Sequence, residues 1–234
     1  MVMKDIDLLR GVDIFQNLSD EHLQRIAALV SLQKFPAKQV IYVPSDPGSK
    51  LYAILTGKVK LTQVSSEGKE LVFCVLGKGD VFGELCLFDA GPHSTLAAAL
   101  ENCEILAIKC SDLAKFMAED PVMVTALGKH VGDRIRSLEK KLSDFVFKDV
   151  AQRLASLILD LTYDYAETIP SGERVIEMKI THQDIAGLIG STRETTTTTL
   201  NQFRDKNLID FERGRIVVRN VKVLEEMANS PARA

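Results

Sequence analysis

Residues 180–209 read ITHQDIAGLIGSTRETTTTTLNQFRDKNLI, and this stretch decides how the C-terminal part of the chain folds. Thr181 is placed to cap a short apolar helix, HQDIAGLIG, that runs into a glycine-containing turn. A second helix follows, because Ser191 with Glu194 three positions later spells a capping box. The five threonines from Thr195 to Thr199 resist that assignment, each costing roughly half a kcal/mol in a helix relative to alanine. A helix from Thr192 to Lys206 nevertheless sorts them by face, since each residue advances about 100° around the axis. Thr196, Thr199, Leu200 and Phe203 fall on one side. Glu194, Thr198, Asn201 and Asp205 fall on the other, with Thr197 and Gln202 at the edges. Two apolar runs, LIDF and RIVVRNV, then follow, joined by ERGR. Two helices across a glycine turn and a small hairpin spell a winged helix-turn-helix.

The exposed face of that second helix carries the chemistry of base reading. Arg193 suits a bidentate contact to guanine O6 and N7, and Glu194 can accept from the cytosine N4 amine. Thr192 and Thr195 lie where free helix amides favour phosphate, and Thr198 stands one turn further along the same face. Thr181 and Gln183, at the start of the preceding helix, complete the candidate DNA contacts with Arg213 and Arg215, which flank Gly214 at the wing tip. Local charge agrees: between Lys179 and Lys222, eight basic residues stand against five acidic ones, in a chain whose net charge is −3. Nucleic-acid binding is therefore confined to one region.

Upstream, the segment after Pro121 reads as one long helix. Val124, Val131, Leu138 and Phe145 recur every seven residues, and Gly128, Ile135 and Leu142 recur in the complementary position. The stripe is narrow and flanked by Lys129, Arg134, Arg136, Glu139, Lys140 and Lys141, which fits a seam between two parallel copies better than a core face. Gly128 would let the two backbones approach. The chain accordingly divides into residues 1–119, a dimerisation helix at 120–147, and a DNA-binding domain at 148–234.

From Val40 to about Ile108 the text turns strand-like. VIYV, LYAIL, KVKL, LVFCVL and EILAI are punctuated by Gly48, Gly57, Gly68, Gly77, Gly79, Gly83 and Gly91, the rhythm of an antiparallel roll. Before it, Ser19 caps a helix whose Leu23, Ile26, Ala27 and Val30 share a face, and which packs on the roll. The fold class is thus α+β, a β jelly-roll followed by a long helix and a winged helix-turn-helix.

Among 234 residues, 46% are hydrophobic and 26% charged, as in an ordinary globular protein. No apolar run nears the roughly 20 residues of a membrane span, and the N-terminus lacks the sections of a signal peptide, which implies a cytoplasmic location and no membrane partner. Cys74, Cys86, Cys103 and Cys110 form no CxxC pair and read as buried reduced thiols; a redox or iron–sulfur role needs several of them to converge in space. No catalytic triad, paired carboxylate or metal-hydrolase pattern is present, so no enzymatic activity is assigned.

The chain resembles the CRP/FNR family of bacterial transcription regulators. The likeness rests on IFQNLSDEHLQRIA (14–27), LYAILTGKVKL (51–61), GKGDVFGELCLFDAGPHSTLAAALENCEILAI (77–108) and the segment quoted at the outset. It implies a cyclic-nucleotide-binding-like sensor roll, a homodimer and a palindromic operator in double-stranded DNA, with RNA polymerase as a further partner. An effector bound in the roll would reorient the two recognition helices. The implied effector site comprises Gly83, Glu84, Leu85, His93, Ser94 and Thr95. Where the family reads P-R-S-A, however, this chain reads Pro92, His93, Ser94, Thr95. A histidine offers no guanidinium fork for a cyclic phosphate. The polar pair that caps adenine in cyclic-AMP receptors falls near Leu138 and Glu139, a second mismatch.

Cyclic AMP is therefore disfavoured, and a different small molecule or nucleotide is expected. An iron–sulfur centre is unsupported because the first cysteine is Cys74. Haem is unsupported because His22, His93 and His130 lack ligand context. In R-E-T-x-x-R, the family's usual recognition motif, the second arginine is replaced here by Thr198, so altered discrimination is expected at the base pair it faces. The alternative function is a ligand-independent constitutive or architectural DNA binder.

Overall fold

A computed structural model of the chain describes residues 2–89, 91–119, 121–169 and 173–230; the polar stretch TIPSGER lies partly outside them. Contacts divide the chain into two compact units, one of residues up to Gln63 with Phe73–Arg136, the other of Val64–Val72 with the chain from Ser137 onward. The division falls inside the long helix.

The first unit opens with α1 (Val2–Arg10), which the sequence did not signal, and α2 (Asp20–Ala27). Ser19 caps α2 as expected, its hydroxyl accepting from the His22 amide at 3.3 Å, and Leu23 and Ile26 are fully buried. Val30 does not belong to that helix. It begins β1 (Val30–Phe35), paired with Ile108. The β-branched side chain and the alternation in VSLQKF favour an edge strand over another helical turn.

The remaining strands are β2 (Val40–Tyr42), β3 (Lys50–Thr56), β4 (Val59–Val64), β5 (Glu70–Leu76), β6 (Val81–Phe82), β7 (Leu96–Ala99) and β8 (Cys103–Lys109). They form two antiparallel four-stranded sheets, ordered β1-β8-β3-β6 and β2-β7-β4-β5, which is the expected jelly roll. Alternation along the central strands explains why LYAIL and EILAI look continuously apolar. Leu51, Ala53, Leu55, Leu106 and Ile108 face a core shared with the helices. Tyr52, Ile54, Ile105 and Ala107 face the interior between the sheets. Strands covered on both faces lose the polar half of their pattern.

The long helix expected after Pro121 is α4 (Pro121–Phe147), and a shorter helix the sequence did not signal, α3 (Cys110–Glu119), precedes it. Met123 and Leu127 of α4 are fully buried in the core shared with the first sheet. In the second unit, α5 (Val150–Tyr165) starts with a capping box between Asp149 and Gln152. A four-stranded sheet follows the order β11-β12-β10-β9, built from β9 (Ala166–Thr168), β10 (Arg174–Ile176), β11 (Ile209–Glu212) and β12 (Arg215–Val218). Helices α6 (His182–Ile189) and α7 (Arg193–Asp205) lie between β10 and β11 in the chain, and α8 (Val221–Asn229) follows the sheet. The unit is a winged helix-turn-helix, its two-residue wing turn made by Arg213 and Gly214, both at positive φ.

Candidate nucleic-acid interface and effector pocket

The position of α7 is set by its neighbours. Thr181 and Asp184 form a reciprocal capping box on α6, and Gly190 ends that helix at φ 61°, the left-handed conformation glycine adopts without strain. Arg153 of α5 donates to the carbonyls of Ile189 and Lys148, both at 2.8 Å, which satisfies two orphaned helix-end acceptors. His182 Nδ1 and the Thr197 hydroxyl lie 2.9 Å apart, joining the start of α6 to α7.

The cap of α7 differs from the sequence expectation. Thr192, not Ser191, is the N-cap, and its hydroxyl accepts from the Thr195 amide at 3.1 Å. The helix therefore starts one residue later, and Glu194 is no capping partner. The threonine run is held by its own backbone: the Thr197 hydroxyl donates to the Arg193 carbonyl at 2.8 Å and that of Thr199 to Thr195 at 2.9 Å. Thr196 is fully buried, and its hydroxyl has no partner among the described residues.

Thr196, Thr199, Leu200 and Phe203 are buried, as the 100° rotation predicted; of the opposite set, Glu194, Thr198 and Asp205 are exposed but Asn201 is half-buried, and Thr192, Arg193 and Thr195 are exposed around the first turn. Thr181 and Gln183 are exposed at the start of α6. Arg213 is exposed at the wing tip, but Arg215 is not equivalent to it. Its guanidinium donates to both Glu177 oxygens, at 2.5 and 2.6 Å. Arg219 is likewise tied to Glu173 and Asp210. With Arg215 and Arg219 so engaged, the local positive excess is carried outward by Lys179, Arg193, Arg204, Lys206, Arg213 and Lys222, all exposed.

In the roll, Gly83 stands at φ 77° before a short 3-10 turn, Glu84–Leu87. A side chain there would come within 2.7 Å of the Lys50 carbonyl, so the position needs glycine for conformation and for space. The turn buries Glu84, which accepts from Arg134 at 2.8 Å; the same guanidinium donates to the Val81 carbonyl at 2.8 Å. Arg134 is therefore no solvated flank of the long helix. It enters the roll because α4 lays that face on the first sheet.

His93 stacks flat on Tyr42, ring centroids 3.7 Å apart and planes within 7°. Burial lowers the His93 pKa below the usual histidine value, against the raising influence of Asp46 and Glu84. Burial also pushes the Tyr42 phenol up to about 12, opposed by its hydrogen bond to Thr95. Tyr52 and Phe82 stack behind them at 5.0 Å. Glu84, His93 and Thr95 are thus brought into one aromatic-walled site, whereas Leu85 points outward, 58% exposed, and Ser94 is exposed. His130, on α4, has a buried Nε2 without a partner among the described residues, and its pKa is lowered by burial and by Arg134. Among the described residues, no group of three or more His, Cys, Asp or Glu side chains could hold a metal ion.

Residues 32–120 match the cyclic nucleotide-binding domain, and residues 152–227 match the Crp-like helix-turn-helix domain. The cAMP-activated global transcriptional regulator CRP of Haemophilus influenzae is 31% identical over 189 residues, 80% of this chain and 83% of that protein. The chain belongs to the CRP/FNR family of transcription regulators. The global nitrogen regulator of a Nostoc species is 30% identical over 190 residues, 80% of this chain and 84% of that one. A CRP/FNR-family regulator of known structure from Thermus thermophilus aligns with TM-score 0.72 and 26% identity, covering 86% of this chain and all of the other. FixK2 of Bradyrhizobium japonicum shares the fold, with TM-score 0.77 at 23% identity.

Sequence reasoning anticipated which side of α7 is buried in this CRP/FNR chain but missed three features of its roll. The Glu84–Arg134 pair joins residues fifty positions apart, and the Tyr42–His93 stack joins two separate strand-flanking segments. The third is a disulfide: Cys86 and Cys110, expected as reduced thiols, are bonded, with Cα atoms 6.1 Å apart. The convergence arises because Cys110 opens α3 directly after β8 and Cys86 lies in the Glu84–Leu87 turn. Cys74 and Cys103 remain outside the pairing.

Proposed function

We propose that the protein is a homodimeric, sequence-specific transcription regulator that reads a palindromic operator through α7 and answers to an effector other than cyclic AMP. The carrying observation is the sorting of the threonine helix: Arg193, Glu194 and Thr195 at its N-terminal turn and Thr198 beyond it are exposed while Thr196 and Thr199 are buried. An N-terminal helix end so furnished suits the major groove. Thr192, Thr195, Thr181, Gln183 and Arg213 would position the helix on phosphates, with Arg215 in a lesser part because Glu177 already holds it.

Dimerisation is supported by α4, where Val124, Ile135, Leu138 and Leu142 are exposed in the expected stripe and Gly128 is open to solvent. Val131 and Phe145 of the same stripe are half-buried; Phe145 lies against Gly190 and under Arg153. The effector reading rests on charge. His93 is a poor cyclic-phosphate ligand when burial favours its neutral form, and Arg134 is already engaged by Glu84 and Val81. Relatives of 31% and 30% identity are named for cyclic AMP and for nitrogen, so likeness alone does not choose the effector.

Selection of bound duplexes from random DNA tests the reading. The expected product is a palindrome with weakened discrimination at the pair facing Thr198; an asymmetric site, or full discrimination there, overturns it. A second reading, a ligand-independent DNA binder, is favoured by the mutual satisfaction of Glu84 with Arg134 and of Tyr42 with Thr95 and His93. Calorimetry with cyclic AMP, cyclic GMP and linear dinucleotides, beside operator binding with and without each, separates the two.

A further inference from the structure

We infer that Cys86 and Cys110 form a reversible thiol–disulfide site, oxidised by low-molecular-weight disulfides, that clamps the Glu84-bearing turn to the start of α3. Disulfides are scarce in proteins that work beside DNA in a reducing compartment, and those that occur there are chiefly redox-active. The first unit also has an apolar core to which neither sulfur belongs, with Leu51, Ala53, Val81, Ile108 and Leu113 fully or almost fully buried. Cys86 is half-buried and open to a small reagent, while Cys110 is 6% exposed at the first position of α3. Their Cα separation of 6.1 Å lies within the range that a disulfide spans. Cys103 is the contrast within the same roll. Its thiol is buried, and it donates to the carbonyls of Lys58 and Glu101 at 3.3 and 3.2 Å; burial raises its pKa.

The chemistry balances through two exchanges. The Cys86 thiolate attacks a small disulfide, forming a mixed disulfide and expelling one small thiolate. The Cys110 thiolate then attacks the Cys86 sulfur and expels the second. Two protein thiols are oxidised, one small disulfide is reduced to two thiols, and the two protons pass to the released thiolates. Closing the bond ties Cys86, two residues from Glu84, to a helix end, and so restrains the carboxylate that pairs with Arg134. The consequence for ligand binding rests on reading this roll as an effector site; the bond itself and its restraint do not.

The full chain would be equilibrated in glutathione buffers of graded oxidised-to-reduced ratio, quenched in acid, alkylated under denaturing conditions and mapped by mass. Cys86 and Cys110 are expected to become protected together, to recover together on return to reduced glutathione, and to leave Cys74 and Cys103 alkylated throughout. Independent titration, or a glutathione adduct persisting on Cys86, overturns the site. Hydrogen exchange supplies the second measurement, with amides 84–88 expected to exchange about tenfold or more slowly in the oxidised form. Equal exchange in the two forms overturns the clamp. Cys110→Ser should hold Cys86 as the mixed disulfide and lose the protection. Neither measurement uses an effector, so a roll that binds no nucleotide would defeat the proposed function and leave these outcomes intact.

Discussion

Thr198 concentrates the specificity question in one side chain. If α7 reads bases as proposed, a hydroxyl and a methyl at this position offer weaker contacts than a guanidinium fork would. Thr198→Arg is expected to sharpen discrimination there in the random-DNA selection without a large change in fold stability. Arg193→Ala should weaken operator binding by about 1–3 kcal/mol and relax one base position, whereas Arg213→Ala should weaken all sequences alike and reduce the salt slope by about one. Fluorescence anisotropy at several salt concentrations distinguishes the two behaviours. Thr196 gives a stability prediction. Its buried hydroxyl has no partner among the described residues, and Thr196→Val keeps the shape while removing the unmet group, so urea unfolding should show an increase of about 1 kcal/mol. These faces were legible in the sequence because a 100° rotation needs only residue order. The cap was not, since Ser191 and Thr192 are adjacent and equally competent, and only backbone geometry chooses between them.

At the level of elements, α4 presents different faces to different neighbours. Met123, Leu127 and Arg134 serve the roll, and Val124, Ile135, Leu138 and Leu142 remain exposed. The heptad pattern showed the second set plainly, while the first was hidden because Arg134 reads as a surface charge until Glu84 is placed beside it. A Leu138→Asp, Leu142→Asp pair should convert a dimer to a monomer by light scattering; a wild type already monomeric sinks the seam. The turn between α6 and α7 is equally specific. At Gly190 a methyl would meet the Phe145 ring at 3.1 Å in a left-handed backbone, so Gly190→Ala should cost about 1–2 kcal/mol, read from a shifted denaturant midpoint.

For the molecule as a whole, stability should depend on pH through two histidines. His93 and His130 both have pKa values below 6.5, burial being the first cause in each. For His130, Arg134 adds to the lowering and Glu84, Asp80 and Asp13 oppose it. The unfolded chain takes up protons near pH ~6.5 that the folded chain refuses, so stability is full above that value and declines as pH falls toward the folded pKa values. Asp80 has the opposite sign, its pKa raised by burial, but it acts in the carboxylate range at lower pH. The urea midpoint should fall between pH 7 and 5.5, and His130→Gln should flatten that fall; a wild type with no slope refutes the assignment. None of this was readable from sequence, since burial of a histidine follows from which strands and helices meet around it.

The aromatic wall of the roll also makes the protein its own reporter. The chain has four tyrosines and no tryptophan, and Tyr42 and Tyr52 line the site beside His93. Half of its phenol fluorophores therefore stand at the proposed effector site, and no indole emission masks them. Unlabelled protein excited in the near ultraviolet should register occupancy of the roll directly, turning a search for the effector into an optical titration.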